Sequence, residues 1–192
     1  TFPYPIYSKW FRVEWDHFER IPAEGGALLV ANHAGAVPSD APVIMHGIET
    51  ELGRPVYGLA EYLFRDLPGV GTMWARAGGV TAHPDNAYRL LKEDEQLVLV
   101  FPEGTKGTGK LYKDRYRLAR FGRGGFVEIA MRAGVVVGDA QIANAAGFFP
   151  IGERGQMGGG VDQVMHLHEI DLISPESLLT LFETTFGVAV VG

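Results

Sequence analysis

The sequence contains no cysteine. This excludes a disulfide framework, a thiol nucleophile, and zinc or iron–sulfur sites with cysteine ligands. The chain also lacks an apolar run close to the ~18 residues that a membrane-spanning helix requires. Positive charge is not in excess, because the formal net charge is −6, and a nucleic-acid-binding protein is therefore not expected. The chain starts at Thr1 without an initiator methionine or a signal-peptide pattern, which is typical of a processed or truncated terminus.

The composition is that of a packed globular domain, with 46% hydrophobic and 21% charged residues in a chain of 192. We predict a single domain over 1–192. Strand-like and helix-like segments alternate, which favours an α/β fold with a mostly parallel central sheet flanked by helices. The predicted strands are 11–15, 27–31, 56–60, 96–101 and 135–137, and the predicted helices are 40–47, 70–76, 85–92 and 124–133, the last closed by Gly134. Beyond 138 the pattern weakens: 152–160 is predicted as a loop, 175–185 as a helix and 187–191 as a strand.

Aromatic residues are concentrated at the start of the chain. Residues 1–18 contain seven of the 21 aromatic side chains, including Trp10 and Trp15. Trp and Tyr suit a membrane–water interface, because each combines an apolar ring with a polar group. The segment is therefore a candidate interfacial anchor, with both tryptophans at headgroup depth, and the alternative is that it packs on the core.

Basic residues are concentrated later in the chain. Residues 101–132 contain eight Lys or Arg and three Asp or Glu, a local charge of +5, so the rest of the chain carries −11. A basic segment in an acidic protein indicates a local anion site, and a solvated helix face is the alternative.

A histidine and an aspartate border the loop after the first buried strand. His33 follows 27–31, and Asp40 stands where the next helix begins. Ligands of parallel sheets bind at the carboxyl ends of strands, and a carboxylate beside a histidine fixes its tautomer. With neither a Gly-x-Ser-x-Gly nucleophile motif nor a cysteine, His33 is a candidate base that activates a substrate hydroxyl directly. A structural role for the pair is the alternative.

A second polar segment follows the strand at 96–101. Pro102, Glu103, Gly104 and Lys106 come directly after it, and the backbone N–H groups of the glycines with Lys106 and Lys110 suit a phosphate. Residues 104–110 also match the Gly-x4-Gly-Lys part of a nucleotide-binding P-loop. However, the residue that follows this match is a leucine, where magnesium binding requires Ser or Thr.

Together, these segments resemble the glycerophospholipid acyltransferase family, which includes the lysophosphatidic acid acyltransferases. The first block of the family matches Asn32, His33 and Asp40, the middle block matches Gly71 and Arg76, and the third matches Phe101, Pro102, Glu103 and Gly104, continued by Thr105. The resemblance covers about residues 11–134. Six residues, 34–39, separate the histidine from the aspartate where the family usually has four, and we interpret them as a loop variant. The proline-containing fourth block is not found at 135–138, and 138–192 matches no part of the family.

The resemblance implies that His33 is a general base oriented by Asp40. It implies that Arg76 and Lys106 bind the phosphate of the acceptor. It places Glu103, Gly104 and Thr105 at the acceptor site, with Glu103 either shaping the pocket or acting as a hydrogen-bond anchor.

The implied reaction moves a fatty acyl group from acyl-CoA or acyl carrier protein to the hydroxyl of a glycerol phosphate or lysophospholipid, with no resident cofactor. Such an enzyme is expected to bind peripherally to an anionic membrane surface, on its cytoplasmic face. Two alternatives stay open: a catalytically inactive lipid- or phosphate-binding protein of the same fold, and a P-loop-like nucleotide binder.

One further pattern is a possible metal site. His166, His168 and Glu169 have the alternation that places two imidazoles on one side of a strand. No third ligand block accompanies them, so we interpret them as polar residues of a strand or loop and assign no metal.

Overall fold

The computed structural model describes residues 5–15, 18–31, 33, 40–62, 68–104, 125–142 and 166–173. Within these ranges the strands are β1 (Glu14–Trp15), β2 (Ala27–Ala31), β3 (Val56–Ala60), β4 (Gly79–Thr81), β5 (Leu97–Val100), β6 (Val136–Ile142) and β7 (His166–Ile173). The α-helices are α1 (Asp40–Leu52), α2 (Val70–Arg76), α3 (Pro84–Tyr88) and α4 (Gly125–Ala133). Short π-helical turns occupy Ile6–Phe11 and Arg89–Glu93, and a 3₁₀ turn occupies Phe18–Arg20. None of the helices in these ranges is long and apolar enough to cross a bilayer.

The described strands form one sheet in the order β1-β7-β6-β2-β5-β3-β4. Every neighbouring pair is parallel except β6 and β7, which are antiparallel. The predicted α/β class with a mostly parallel sheet is confirmed. The region that matched no family block also contributes to this sheet, because β7 lies within it.

The two central strands are buried on both faces of the sheet. In β2, Leu29 belongs to one core cluster, while Leu28 and Val30 belong to the other. In β5, Leu99 belongs to the same cluster as Leu29, and Val98 belongs to the cluster of Leu28 and Val30. Period-2 alternation sends successive side chains to opposite faces, so an uninterrupted apolar run is required where helices cover both. The side chains of both strands therefore contribute to the core on each side of the sheet.

Arg54 ties together the segments that lead into β2 and β5. Its guanidinium donates hydrogen bonds to the carbonyl oxygens of Pro22 at 2.6 Å, Gly25 at 2.7 Å and Glu95 at 2.9 Å. A guanidinium carries five N–H donors in a rigid plane, so one side chain can satisfy several loop carbonyls at once. The contacts fix the starting points of both central strands.

The aromatic residues near the start of the chain pack on the core where they are described. Tyr7 is buried, and the indole Nε1 of Trp15 donates to its hydroxyl oxygen at 2.6 Å. Trp15 also meets Phe18 edge to face, with ring centroids 5.1 Å apart. Trp15 and Tyr7 pack against α1 at Gly47, where an added Cβ would lie 2.5 Å from the Trp15 ring. For these residues the placement favours core packing over the expected position of Trp15 at headgroup depth.

Several predicted boundaries change in the structure. α1 continues five residues past the predicted end at 47, and β6 continues to Ile142 rather than 137. The predicted helix 85–92 starts at Pro84 with His83 as its N-cap, and it widens into a π turn at Arg89–Glu93. The predicted loop at 152–160, helix at 175–185 and strand at 187–191 lie outside the described residues.

Candidate functional site

The candidate site lies at one edge of the sheet, where β2 and β5 end. The strands are parallel neighbours, with Val30 opposite Val100, so both chains leave the sheet at the same edge. His33 follows β2 by two residues, and the segment 101–104 follows β5 directly. The carboxyl ends of parallel strands are where α/β folds bind their ligands.

His33 and Asp40 form a hydrogen-bonded pair. The His33 Nδ1 atom lies 3.0 Å from the Asp40 Oδ2 atom. A carboxylate only accepts hydrogen bonds, so Nδ1 is the donor and the lone pair of the neutral ring is on Nε2. The longer loop of six residues between them is compatible with the contact that the sequence predicted.

The start of α1 holds the carboxylate of this pair. Asp40 is the first residue of the helix and is fully buried. Its second oxygen, Oδ1, accepts the backbone N–H of Ala41 at 3.0 Å. A buried carboxylate requires such partners, and the positive end of the helix dipole stabilises it further. Both oxygens of Asp40 are thereby committed, which fixes the one that faces His33.

Glu103 anchors the backbone of the histidine. Its Oε1 atom accepts the backbone N–H of His33 at 3.1 Å, and the side chain is buried, with 6% of its surface exposed. A tight turn places the carboxylate: the N–H of Gly104 donates to the carbonyl oxygen of Phe101 at 3.0 Å, with Gly104 at a φ of +59°. This left-handed conformation favours glycine. Of the two roles that the sequence left open for Glu103, the contact is that of a hydrogen-bond anchor.

The ring of Phe101 lies flat against the imidazole of His33. The ring centroids are 4.3 Å apart and the planes are inclined by 9°. Sequence reasoning did not assign Phe101 to the site, although it is the first residue after β5 and part of the matched third block. The signal in the sequence was that Phe101 directly follows a buried strand and belongs to the third family block.

Exposure differs among the members of the site in a way that suits proton transfer. The His33 side chain is 11% exposed, whereas that of Asp40 is 0% exposed. The imidazole therefore reaches the surface while the carboxylate behind it is shielded from water. Such an arrangement can take a proton at Nε2 from a bound hydroxyl and stabilise the resulting imidazolium at Nδ1.

The other predicted site residues are not brought to His33 by the described structure. Arg76 is the exposed last residue of α2, three residues before β4. β4 is the last strand of the sheet and is parallel to β3, which is parallel to β5. Arg76 comes just before β4 and therefore lies towards the side of the sheet where these strands begin, whereas His33 lies where β2 ends. Thr105 and Lys106 lie outside the described residues, and their roles stay predictions.

The possible metal ligands are also placed. His166 and His168 lie in β7, an antiparallel neighbour of β6. Among the side chains that the structure describes, no group of three His, Cys, Asp or Glu is arranged to hold a metal ion.

A family model described as Acyltransferase matches residues 12–141. The chain belongs to the acyltransferase family. The matched range contains His33, Asp40, Arg76 and the 103–106 segment, and it agrees closely with the range over which the sequence resembles the family. As an acyltransferase-family chain, it is not expected to use residues 104–110 as a P-loop.

Mycobacterial proteins match about three quarters of the chain. The chain is 42% identical over 148 residues to uncharacterized proteins of Mycobacterium tuberculosis, Mycobacterium bovis and Mycobacterium leprae. The match takes in 76% of this acyltransferase-family chain and 40–41% of each relative, so the chain spans about two fifths of the length of the curated relatives it matches. No solved structure matches the chain significantly.

Proposed function

We propose that the protein is an O-acyltransferase that moves a fatty acyl group from an acyl thioester to the free hydroxyl of a glycerol phosphate or lysophosphatidic acid. The observation that carries the proposal is the His33–Asp40 pair, at 3.0 Å, at the carboxyl edge of the sheet in a chain of the acyltransferase family. The donor is acyl-CoA or acyl carrier protein.

The first step is deprotonation of the acceptor. Nε2 of His33 takes the proton of the acceptor hydroxyl while the oxygen attacks the carbonyl carbon of the thioester, and a new C–O bond forms. The imidazolium that results is stabilised by the Asp40 carboxylate at Nδ1. General-base assistance of this kind contributes about 10²–10⁴-fold to the rate.

The second step is loss of the thiolate. The tetrahedral intermediate collapses, the C–S bond breaks, and the electron pair leaves with sulfur. A thiolate is a good leaving group near neutral pH, since thiols ionise with a pKa of about 8.5 in water. His33 returns its proton to the medium or to the thiolate, so the site is restored without a covalent acyl-enzyme.

The acceptor phosphate is the natural partner of the basic segment. Glu103 and Gly104 set the direction in which the chain leaves β5, and Thr105 and Lys106 come next in the sequence. Lys106, with the excess of basic residues in 101–132, supplies positive charge for the phosphate and for anionic lipid. We propose peripheral binding to the cytoplasmic face of a membrane on this basis.

Product analysis tests the proposal. The protein is incubated with radiolabelled acyl-CoA and one acceptor at a time. The acceptors are glycerol 3-phosphate, lysophosphatidic acid and an uncharged monoacylglycerol. The proposal predicts a labelled ester with a phosphate-bearing acceptor and much less with the uncharged one. Binding of anionic vesicles without any labelled ester would instead indicate an inactive lipid-binding protein of the same fold.

A further inference from the structure

We propose that Phe101 is a positioning residue for His33. Its ring holds the imidazole in the orientation in which Nδ1 donates to Asp40, and its face stabilises the imidazolium formed when His33 takes a proton. The first part stands on geometry alone, and the second rests on the proposed function.

The stacking distance restrains the imidazole. The ring centroids are 4.3 Å apart with an interplanar angle of 9°. Aromatic pairs ordinarily have centroids about 4.5–7 Å apart, so these two rings are in close contact. Rotation of the His33 ring about its Cβ–Cγ bond would turn its edge into the Phe101 face. Phe101 therefore hinders the motion that would carry Nδ1 away from Asp40.

The same contact favours the charged form of the histidine. The face of a phenyl ring carries negative electrostatic potential, which attracts a cation placed over it. Among the residues that the structure describes, Asp40 contacts His33 at Nδ1 and Glu103 contacts its backbone N–H. Phe101 adds attraction from the ring face. This attraction is stronger for the imidazolium than for the neutral ring. It therefore stabilises the transition state more than the ground state and lowers the activation free energy of acyl transfer.

Kinetics of a matched pair of variants separate positioning from packing. Phe18 is a suitable control, since Phe101 and Phe18 are both partly buried and pack against the same core cluster. We expect Phe101→Leu to lower kcat about 3- to 30-fold, the fold-change that corresponds to a partly desolvated cation–π contact, with KM unchanged for both substrates. Phe101→Trp is expected to restore most of the rate. Equal losses in Phe101→Leu and Phe18→Leu would overturn the proposal.

Fluorination tests the electrostatic part without changing the shape of the ring. Phenylalanine at position 101 is replaced by its mono-, di- and trifluorinated analogues, which progressively withdraw electron density from the face. A stepwise fall in kcat, towards that of the leucine variant, is expected. Fluorination leaves the packing of the ring almost unchanged. A constant kcat across the series would therefore overturn the electrostatic part of the proposal.

A spectroscopic measurement tests the positioning part independently of activity. The ring ¹⁵N chemical shifts of His33 distinguish the Nδ1–H from the Nε2–H tautomer. We expect the Nδ1–H tautomer in the wild-type protein and in Phe18→Leu, and a mixture in Phe101→Leu. An unchanged tautomer in Phe101→Leu would overturn the positioning role. Because this readout needs no turnover, it decides the matter even if the protein transfers no acyl group.

Discussion

Replacing Asp40 by asparagine changes one atom and should disable the base. Oδ2 of Asp40 accepts from His33 Nδ1 and Oδ1 accepts from the N–H of Ala41, both at 3.0 Å. An asparagine amide has one accepting and one donating end, so it cannot accept hydrogen bonds from both His33 Nδ1 and the N–H of Ala41. Either end of the amide can face His33, and each orientation fails for a different reason.

If the amide nitrogen faces His33, Nδ1 has to accept and the ring proton moves to Nε2. The nitrogen that is required as the base is then protonated. If the amide oxygen faces His33, the NH₂ group opposes the N–H of Ala41, and a buried donor is left unsatisfied at about 1–3 kcal/mol. The loss of the carboxylate charge opposite the imidazolium removes about 1.5–3 kcal/mol more. The unsatisfied donor destabilises the folded protein, whereas the lost charge raises the barrier and lowers kcat about 10- to 160-fold. In the first orientation, the wrong tautomer is expected to lower kcat by up to about 10⁴-fold.

The assay is steady-state acyl transfer from acyl-CoA, with unfolding followed in parallel. KM is expected to stay unchanged, because Asp40 is fully buried and does not reach the surface. Asp85→Asn is the matched control: Asp85 also lies near a histidine in a first helical turn, 3.6 Å from His83, but its side chain is 84% exposed. A folded Asp40→Asn protein with the kcat of Asp85→Asn would refute the reasoning.

Substitutions at three further positions test other parts of the site and the fold. Glu103→Gln is expected to keep most of the kcat, because an amide oxygen can still accept the His33 N–H, whereas Glu103→Ala should lower it about tenfold or more. Equal losses in the two variants would mean that the charge acts on the substrate. Arg76→Ala is expected to leave the acceptor KM within about twofold, since the residue is exposed and lies towards the opposite side of the sheet from His33; a rise confined to phosphate-bearing acceptors would support its sequence-based role. Gly79→Ala is expected to destabilise the fold by about 1–3 kcal/mol in chemical denaturation, because the new Cβ would lie 2.0 Å from Nε1 of Trp74, and unchanged stability would contradict this packing.

The elements that were predictable from the sequence are those with strong local signals. The apolar runs at 27–31 and 56–60 and the helix at 70–76 have the predicted bounds. The start of α3 was predicted one residue late, because proline suits the first turn of a helix and Pro84 belongs to it, with His83 as the N-cap. β7 was not predicted, since its sequence is rich in polar residues and its pairing partner β6 is distant along the chain.

The site was predictable in its residues but only partly in its contacts. The pairing of His33 with Asp40 follows from a buried strand, a loop and a helix start close together in sequence. The contacts of Phe101 and Glu103 with His33 span about seventy residues and depend on β2 and β5 being neighbours. Local patterns do not specify strand order. For the same reason, the sequence did not indicate on which side of the sheet Arg76 lies, and its role in binding the acceptor phosphate stays a prediction.

The rate of acyl transfer by His33→Ala tests the central claim most directly. With saturating acyl-CoA and acceptor, the claim predicts a fall in kcat of about 10²–10⁴-fold, in a protein whose unfolding transition shows that it is folded. His83→Ala, which alters an exposed histidine at the start of α3, should keep the wild-type rate. A folded His33→Ala protein that transfers acyl groups at the wild-type rate would contradict the claim that His33 is the base.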